Sequence, residues 1–83
     1  MGEAGRFTLY SRPDCHLCEA MQAALAALPA AAGHPLDVRD VDEDPVTRRR
    51  YGHKIPVLLF EGALVCHGRL DVDEVHKALA RGR

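Results

Sequence analysis

Between Arg6 and Leu28 the hydrophobic rhythm of the chain changes period, and the change falls at a cysteine. Residues Arg6 to Tyr10 alternate, with Phe7 and Leu9 facing one way and Thr8 and Tyr10 the other, the two-residue period of a strand. Ser11-Arg12-Pro13-Asp14 reads as a turn, because proline fixes φ while serine and aspartate offer local hydrogen bonds. From Cys15 to about Leu28, Leu17, Met21, Ala24, Leu25 and Leu28 recur at three- and four-residue steps, which predicts one buried face of an alanine-rich helix. Pro29 and the stretch ending at Gly33 stop it.

Pro35 to Val41 returns to the shorter period, with Leu36 and Val38 set against Asp37 and Arg39, and predicts a second strand. After the acidic turn Asp42-Glu43-Asp44, Asp44 is placed to cap a short helix from Pro45 through Arg50 or Tyr51, ended by Gly52. Val57–Phe60 and Ala63–Cys66 flank Glu61-Gly62, which predicts an antiparallel hairpin with positive φ at Gly62. Asp71 and Glu74 form a capping box, Leu70 and Val75 a hydrophobic staple, and Val72, Val75 and Leu79 the inner face of a last helix to about Ala80. The expected fold is α/β, in the order strand, helix, strand, helix, strand, strand, helix. Its first two strands are parallel through a right-handed crossover, and its hairpin adds an antiparallel edge. No repeat or linker interrupts the 83 residues, so residues 1–83 are expected to form a single domain.

Composition narrows the function. Hydrophobic residues at 47% and charged residues at 28% exclude a disordered chain. With two Tyr, two Phe and no Trp, the core rests on Leu, Val, Ala and a few rings, and a core this small rarely yields more than about 3–5 kcal/mol. A cofactor buried in the interior is therefore not expected. A net charge of −1 gives no footprint for nucleic acid or for an anionic membrane. No apolar run approaches the ~20 residues of a membrane span. Met1-Gly2-Glu3-Ala4-Gly5-Arg6 has neither the basic nor the apolar region of a secretory signal, so a cytoplasmic location is expected; separately, the chain is expected to be a monomer.

Three cysteines are an odd number for a disulfide framework, and two of them are three apart. Closing a loop that short constrains the unfolded chain very little. Reactivity or metal binding is the better reason for the pair. Cys15 opens a helix, where backbone N–H groups favour a thiolate by about 0.3–1 kcal/mol. Arg12 is the nearest candidate cation and His16 the second, while Asp14 opposes ionisation. Cys18 lies one turn on along the same face, roughly 5–6 Å away, within reach of a disulfide. Cys15 can then attack a substrate disulfide and Cys18 can resolve the mixed disulfide. The rival is a binding module, either metal- or iron–sulfur-carrying or a redox-inactive adaptor. A metal needs four ligands, and His16, Cys66 or His67 would have to complete the set; no metal ligand is assigned. Cys66 reads as a small strand residue or as a third redox thiol, and His67 as a surface residue or a contact of the site. Arg48-Arg49-Arg50, beside Asp42, Glu43 and Asp44, reads as a solvated helix face rather than a phosphate patch. His34 and His76 suggest no function.

Phe7-Thr8-Leu9-Tyr10-Ser11-Arg12-Pro13-Asp14-Cys15-His16-Leu17-Cys18 resembles the opening of a glutaredoxin. Ile55-Pro56, followed by an apolar strand, resembles the cis-proline loop of that family. The likeness runs along nearly the whole chain and is closest to the short glutaredoxin-like branch of the thioredoxin superfamily. It implies a thioredoxin-like βαβαββα fold, a four-stranded mixed sheet with flanking helices. It also implies a thiol–disulfide oxidoreductase of redox homeostasis, with Cys15 the nucleophile and Cys18 the resolving thiol. Arg12 would match the basic residue before the motif. Pro56 would be cis beside the cysteines, with the Ile55 backbone pairing with a bound peptide or glutathione, and His53 and Lys54 rimming the groove. No bound cofactor is implied, with glutathione as a candidate reductant. The chain departs from the family at His16-Leu17, where a proline and an aromatic are usual. It departs again at Cys66-His67-Gly68-Arg69-Leu70-Asp71, which replaces a Gly-Gly pair followed by a Ser/Thr-Asp step. Asp71 is expected to contact substrate at the start of the last helix. The partner is a disulfide-containing protein or glutathione, and both stay open.

Overall fold

The computed structural model describes residues 5–81, and the expectation drawn from Met1–Ala4 lies outside them, as do both ends of the expected 1–83 domain. The strands are Phe7–Ser11 (β1), Leu36–Asp40 (β2), Val57–Phe60 (β3) and Ala63–His67 (β4), and the helices His16–Ala26 (α1), Pro45–Tyr51 (α2) and Val72–Arg81 (α3). Short 3₁₀ turns stand at Pro29–Ala31 and Val41–Glu43. The element order is the expected one. Among the described residues no helix is long and apolar enough to cross a membrane.

The four strands form one mixed sheet in the order β2-β1-β3-β4. β1 runs parallel to β2, with Phe7 opposite Leu36 and Ser11 opposite Asp40. It runs antiparallel to β3, with Phe7 opposite Phe60 and Tyr10 opposite Val57. β3 has no polar residue to turn outward, and all four of its side chains are buried, which suits a central strand covered on both faces. β2 lies at the edge. Val38, expected to face the core, is 43% exposed there, because an edge strand has a covering layer on only part of its surface.

Alternation sorts the buried residues onto two faces. Phe7, Leu9, Leu58 and Phe60 pack with Met21 and Leu25 of α1 and Val75 and Ala78 of α3 in one cluster. On the other face the Tyr10 ring stacks on Tyr51 of α2, with centroids 5.3 Å apart. The hairpin turn holds positive φ at both Glu61 and Gly62, the pairing that matches strand twist.

Three expectations are corrected. α1 ends at Ala26 rather than Leu28, and Pro29 opens a separate 3₁₀ turn, since its ring suits a first helical position but not an interior one. The buried residues of α1 are Cys18, Met21 and Leu25, while Leu17 is 56% exposed. One residue is a rotation of about 100° around a helix, so a face centred on Cys18 turns Leu17 outward. Val72 is likewise exposed, and the inner face of α3 is carried by Val75 and Ala78, with the expected Leu79 partly buried against the same core.

Candidate functional site

The strand registers gather the chemistry at one end of the sheet. Ser11 at the end of β1 sits opposite Asp40 at the end of β2. Tyr10 sits opposite Val57, the first residue of β3, and Val57 opposite His67, the last of β4. The turn to Cys15, the Asp42 segment, Ile55–Pro56 and the entry to α3 at Asp71 therefore all leave the sheet at this end. His34 lies at the other end, where its Nδ1 is 2.9 Å from the Gly5 carbonyl oxygen and its ring meets Phe7 and Phe60 edge-on. Arg48, Arg49 and Arg50 are exposed along α2, as expected of a solvated face.

Asp14 has φ of 59°, a left-handed conformation that aspartate tolerates better than most side chains. That bend turns the chain so that Cys15 becomes the N-cap of α1. The backbone N–H of Cys18 donates to Cys15 Sγ at 3.2 Å, and the Cys15 carbonyl accepts from Glu19 N–H at 3.0 Å. Cys15 and Cys18 are joined as a disulfide with Cα atoms 5.2 Å apart. The two residues differ in exposure: Cys18 is 3% exposed, whereas Cys15 is only half-buried. His16 points into solvent, 3.9 Å from Glu19, and Leu17 offers an exposed apolar side chain between the two cysteines.

Arg12 does something the sequence did not indicate. Its Nε and one terminal nitrogen donate to both oxygens of Asp42, at 2.8 and 3.1 Å. Its other terminal nitrogen donates to the Gly52 carbonyl at 2.9 Å. The Arg12 hydrogen bond holds the Asp42 carboxyl below the usual carboxylate range, and Asp42 in turn raises the Arg12 guanidinium. Asp42 and Gly52 read in sequence only as a turn residue and a helix stop. Their partner lies 30 and 40 residues away, and no local pattern encodes a contact of that range.

The Ile55–Pro56 peptide bond is cis. Pro56 is buried and Ile55 half-buried, and the Pro56 carbonyl accepts from Gly68 N–H at 2.8 Å, tying this loop to the end of β4. Asp71 caps α3, its Oδ1 accepting from Glu74 N–H at 3.2 Å. An open groove at the junction of β4 and α3 is lined by Cys66, His67, Arg69, Leu70 and Asp71 among others. Cys66 pairs with Leu58 across the hairpin and packs against the main core. Burial pushes its thiol up; the Asp71 backbone hydrogen bond works the other way, and the Asp71 and Glu74 carboxylates reinforce the rise. Among the described residues no three His, Cys, Asp or Glu side chains are grouped to hold a metal ion.

Known proteins resemble this chain in sequence and fold. The model of the glutaredoxin-like domain family (DUF836) matches residues 6–80. Protein Ne2328 from Nitrosomonas europaea is 33% identical, with a TM-score of 0.82 over 93% of each chain. The structural-genomics target XcR50 from X. campestris is 32% identical, with a TM-score of 0.69 over 90% of this chain and 96% of that one. Thioredoxin 1 from Thermosipho africanus TCF52B is 17% identical, with a TM-score of 0.58 over 93% of this chain and 92% of its own, a likeness of fold alone. No curated protein matches the chain. The fold is thioredoxin-like, and a cysteine pair in this setting supports a redox-type function.

Proposed function

The chain belongs to the glutaredoxin-like (DUF836) domain family, and from that premise we propose that it is a thiol–disulfide oxidoreductase working through Cys15 and Cys18. The observation that carries this reading is the asymmetry of the pair. One cysteine is half-buried at a helix N-cap, and the other is buried one turn behind it and bonded to it.

In the reduced protein the Cys15 thiolate attacks one sulfur of a substrate disulfide. A Cys15–substrate bond forms, the substrate bond breaks, and the second substrate sulfur leaves as a thiolate that takes up a proton. Cys18, deprotonated, then attacks Cys15 Sγ and releases the first substrate sulfur, leaving the Cys15–Cys18 disulfide. Two electrons pass from the protein to the substrate, and two molecules of an external thiol such as glutathione return them by two successive exchanges, leaving as their own disulfide. The Cys18 N–H that reaches Cys15 Sγ at 3.2 Å favours the thiolate both as attacking and as leaving group. Pro56 and the Ile55 backbone border the substrate on one side and Asp71 with the α3 entry on another. The exposed Leu17 gives the substrate apolar contact in place of the aromatic residue usual in glutaredoxins.

The experiment is a pair of substitutions assayed on a glutathionylated peptide. Cys15→Ser is expected to abolish disulfide reduction, whereas Cys18→Ser is expected to accumulate the mixed disulfide, visible as added mass on the protein. Equal turnover by wild type and Cys15→Ser would sink the reading.

A further inference from the structure

Two chain segments must come together for this site to work. One is the turn Ser11–Asp14 that delivers Cys15, and the other is the stretch from Gly52 to Ile55 that delivers Pro56. They lie about 40 residues apart in sequence and follow different elements, so nothing covalent holds one against the other. Resting on the oxidoreductase reading, we propose that Arg12, Asp42 and Gly52 are positioning residues that join these segments, so that a substrate disulfide meets Cys15 and the proline loop in one fixed geometry.

The guanidinium is built into the joint on both sides. Nε and one terminal nitrogen grip both Asp42 oxygens at 2.8 and 3.1 Å, and the remaining nitrogen holds the Gly52 carbonyl at 2.9 Å. Only a planar fork reaches two acceptors of one carboxylate and a third acceptor beyond it; an ammonium cannot. Asp42 is itself fixed, since its backbone N–H donates to Asp40 Oδ1 at 2.9 Å at the end of β2. Gly52 ends α2, donating to the Arg48 carbonyl at 2.9 Å. A Cβ at Gly52 would stand 2.5 Å from that carbonyl oxygen and 3.0 Å from the Arg12 terminal nitrogen that donates to Asp42. Its φ of −56° is ordinary, so glycine is required there by the close approach of the guanidinium and the helix end, not by backbone strain.

This placement also says what Arg12 does not do. Its charge is matched by Asp42 at 2.8 Å, so toward the Cys15 sulfur the pair acts as a dipole more than as a free cation. Breaking the joint without changing the net charge, as in Arg12→Lys or Gly52→Ala, should therefore impair the docking of a substrate disulfide and leave the intrinsic ionisation of Cys15 alone.

The test compares Arg12→Lys, Asp42→Asn and Gly52→Ala with wild type in two assays. One is kcat/KM for reduction of a glutathionylated peptide; the other is the pH profile of iodoacetamide alkylation at Cys15 in the reduced protein, resolved by peptide mapping. Each rate is corrected for the fraction folded, measured by urea titration. The expected result is a loss of roughly tenfold to a hundredfold in kcat/KM for all three variants, the scale of small misplacements at a reacting centre, with the alkylation midpoint of Cys15 unmoved in the charge-conserving Arg12→Lys and Gly52→Ala. Arg12→Lys retaining wild-type kcat/KM would show that charge alone suffices and overturn the proposal. A midpoint that rises in step with the loss of exchange would overturn it in favour of direct electrostatic support of the thiolate. A loss that vanishes on correction for unfolding would reduce the three residues to a stabilising contact and overturn it too. Wild-type protein without exchange activity would overturn the oxidoreductase reading itself, and is distinguished by appearing before any variant is compared.

Discussion

Cys15 and Cys66 lie at the same end of the sheet and meet opposite surroundings. Cys15 stands at a helix start with a backbone N–H directed at its sulfur, while Cys66 is half-buried beside two carboxylates that, with burial, push its thiol up. With Cys15 and Cys18 oxidised, Cys66 is the one free thiol. Its alkylation at pH ~8.5, near the pKa of a free thiol, is expected to run several-fold slower than that of a cysteine peptide. The same shift has a sign in stability. A pKa raised on folding gives a contribution that is full below the unfolded value and is lost as pH rises through the folded one. Native protein should therefore weaken above pH ~8.5, and Cys66→Val should flatten that alkaline limb in urea titrations. A Cys66 that alkylates as fast as a free peptide would remove this account. The sequence left Cys66 open between strand residue and redox thiol, because burial depends on which helix crosses the strand.

Among the elements, α2 is held in an unusual way. It buries none of its seven residues, so packing of an apolar stripe does not fix it. Besides the stack of Tyr51 on Tyr10, its anchors are polar: Asp44 Oδ1 accepts from Val46 N–H at 2.8 Å, Thr47 Oγ1 donates to the Val41 carbonyl at 2.8 Å, and Gly52 at its end is gripped by Arg12. Asp44→Ala removes the cap and should cost about 1 kcal/mol, within the usual range for caps. Hydrogen exchange should show faster opening of residues 45–51 with little change in β1 and β3. Uniform acceleration across the sheet would mean that α2 does not open separately. The start and stop of α2 were legible in Asp44, Pro45 and Gly52, since caps are local. The error in α1 has the same origin: Leu17 continues a plausible apolar spacing, and only the direction of the sheet decides that Cys18 faces it instead.

At the scale of the whole molecule, stability rests on the two central strands. Leu58 is fully buried in β3 between β1 and β4. Leu→Ala at such a site costs about 2–5 kcal/mol, against roughly 3–5 kcal/mol for a core of this size. Leu58→Ala is therefore expected to be largely unfolded at 37 °C by circular dichroism, whereas Leu64→Ala, on an exposed position of β4, should keep a near wild-type melting transition. Similar losses from both would contradict the sheet order. The right-handed crossover and antiparallel hairpin were both expected from element order, but the placing of β3 beside β1 follows from its four buried residues only once the sheet is assembled.

The chain's own pattern was enough to establish the element order, the turn that opens α1 at Cys15, the spacing that lets Cys18 reach it and the caps of α2 and α3. All of these depend on residues within one or two turns of each other, where backbone geometry is dictated by neighbours. The assembled fold alone decided that Cys18 is buried and Leu17 exposed, that β2 is an edge, and that Arg12 joins Asp42 to Gly52. Those outcomes depend on groups that meet across 30 or more residues, and such meetings are set by how layers pack, which no local period records.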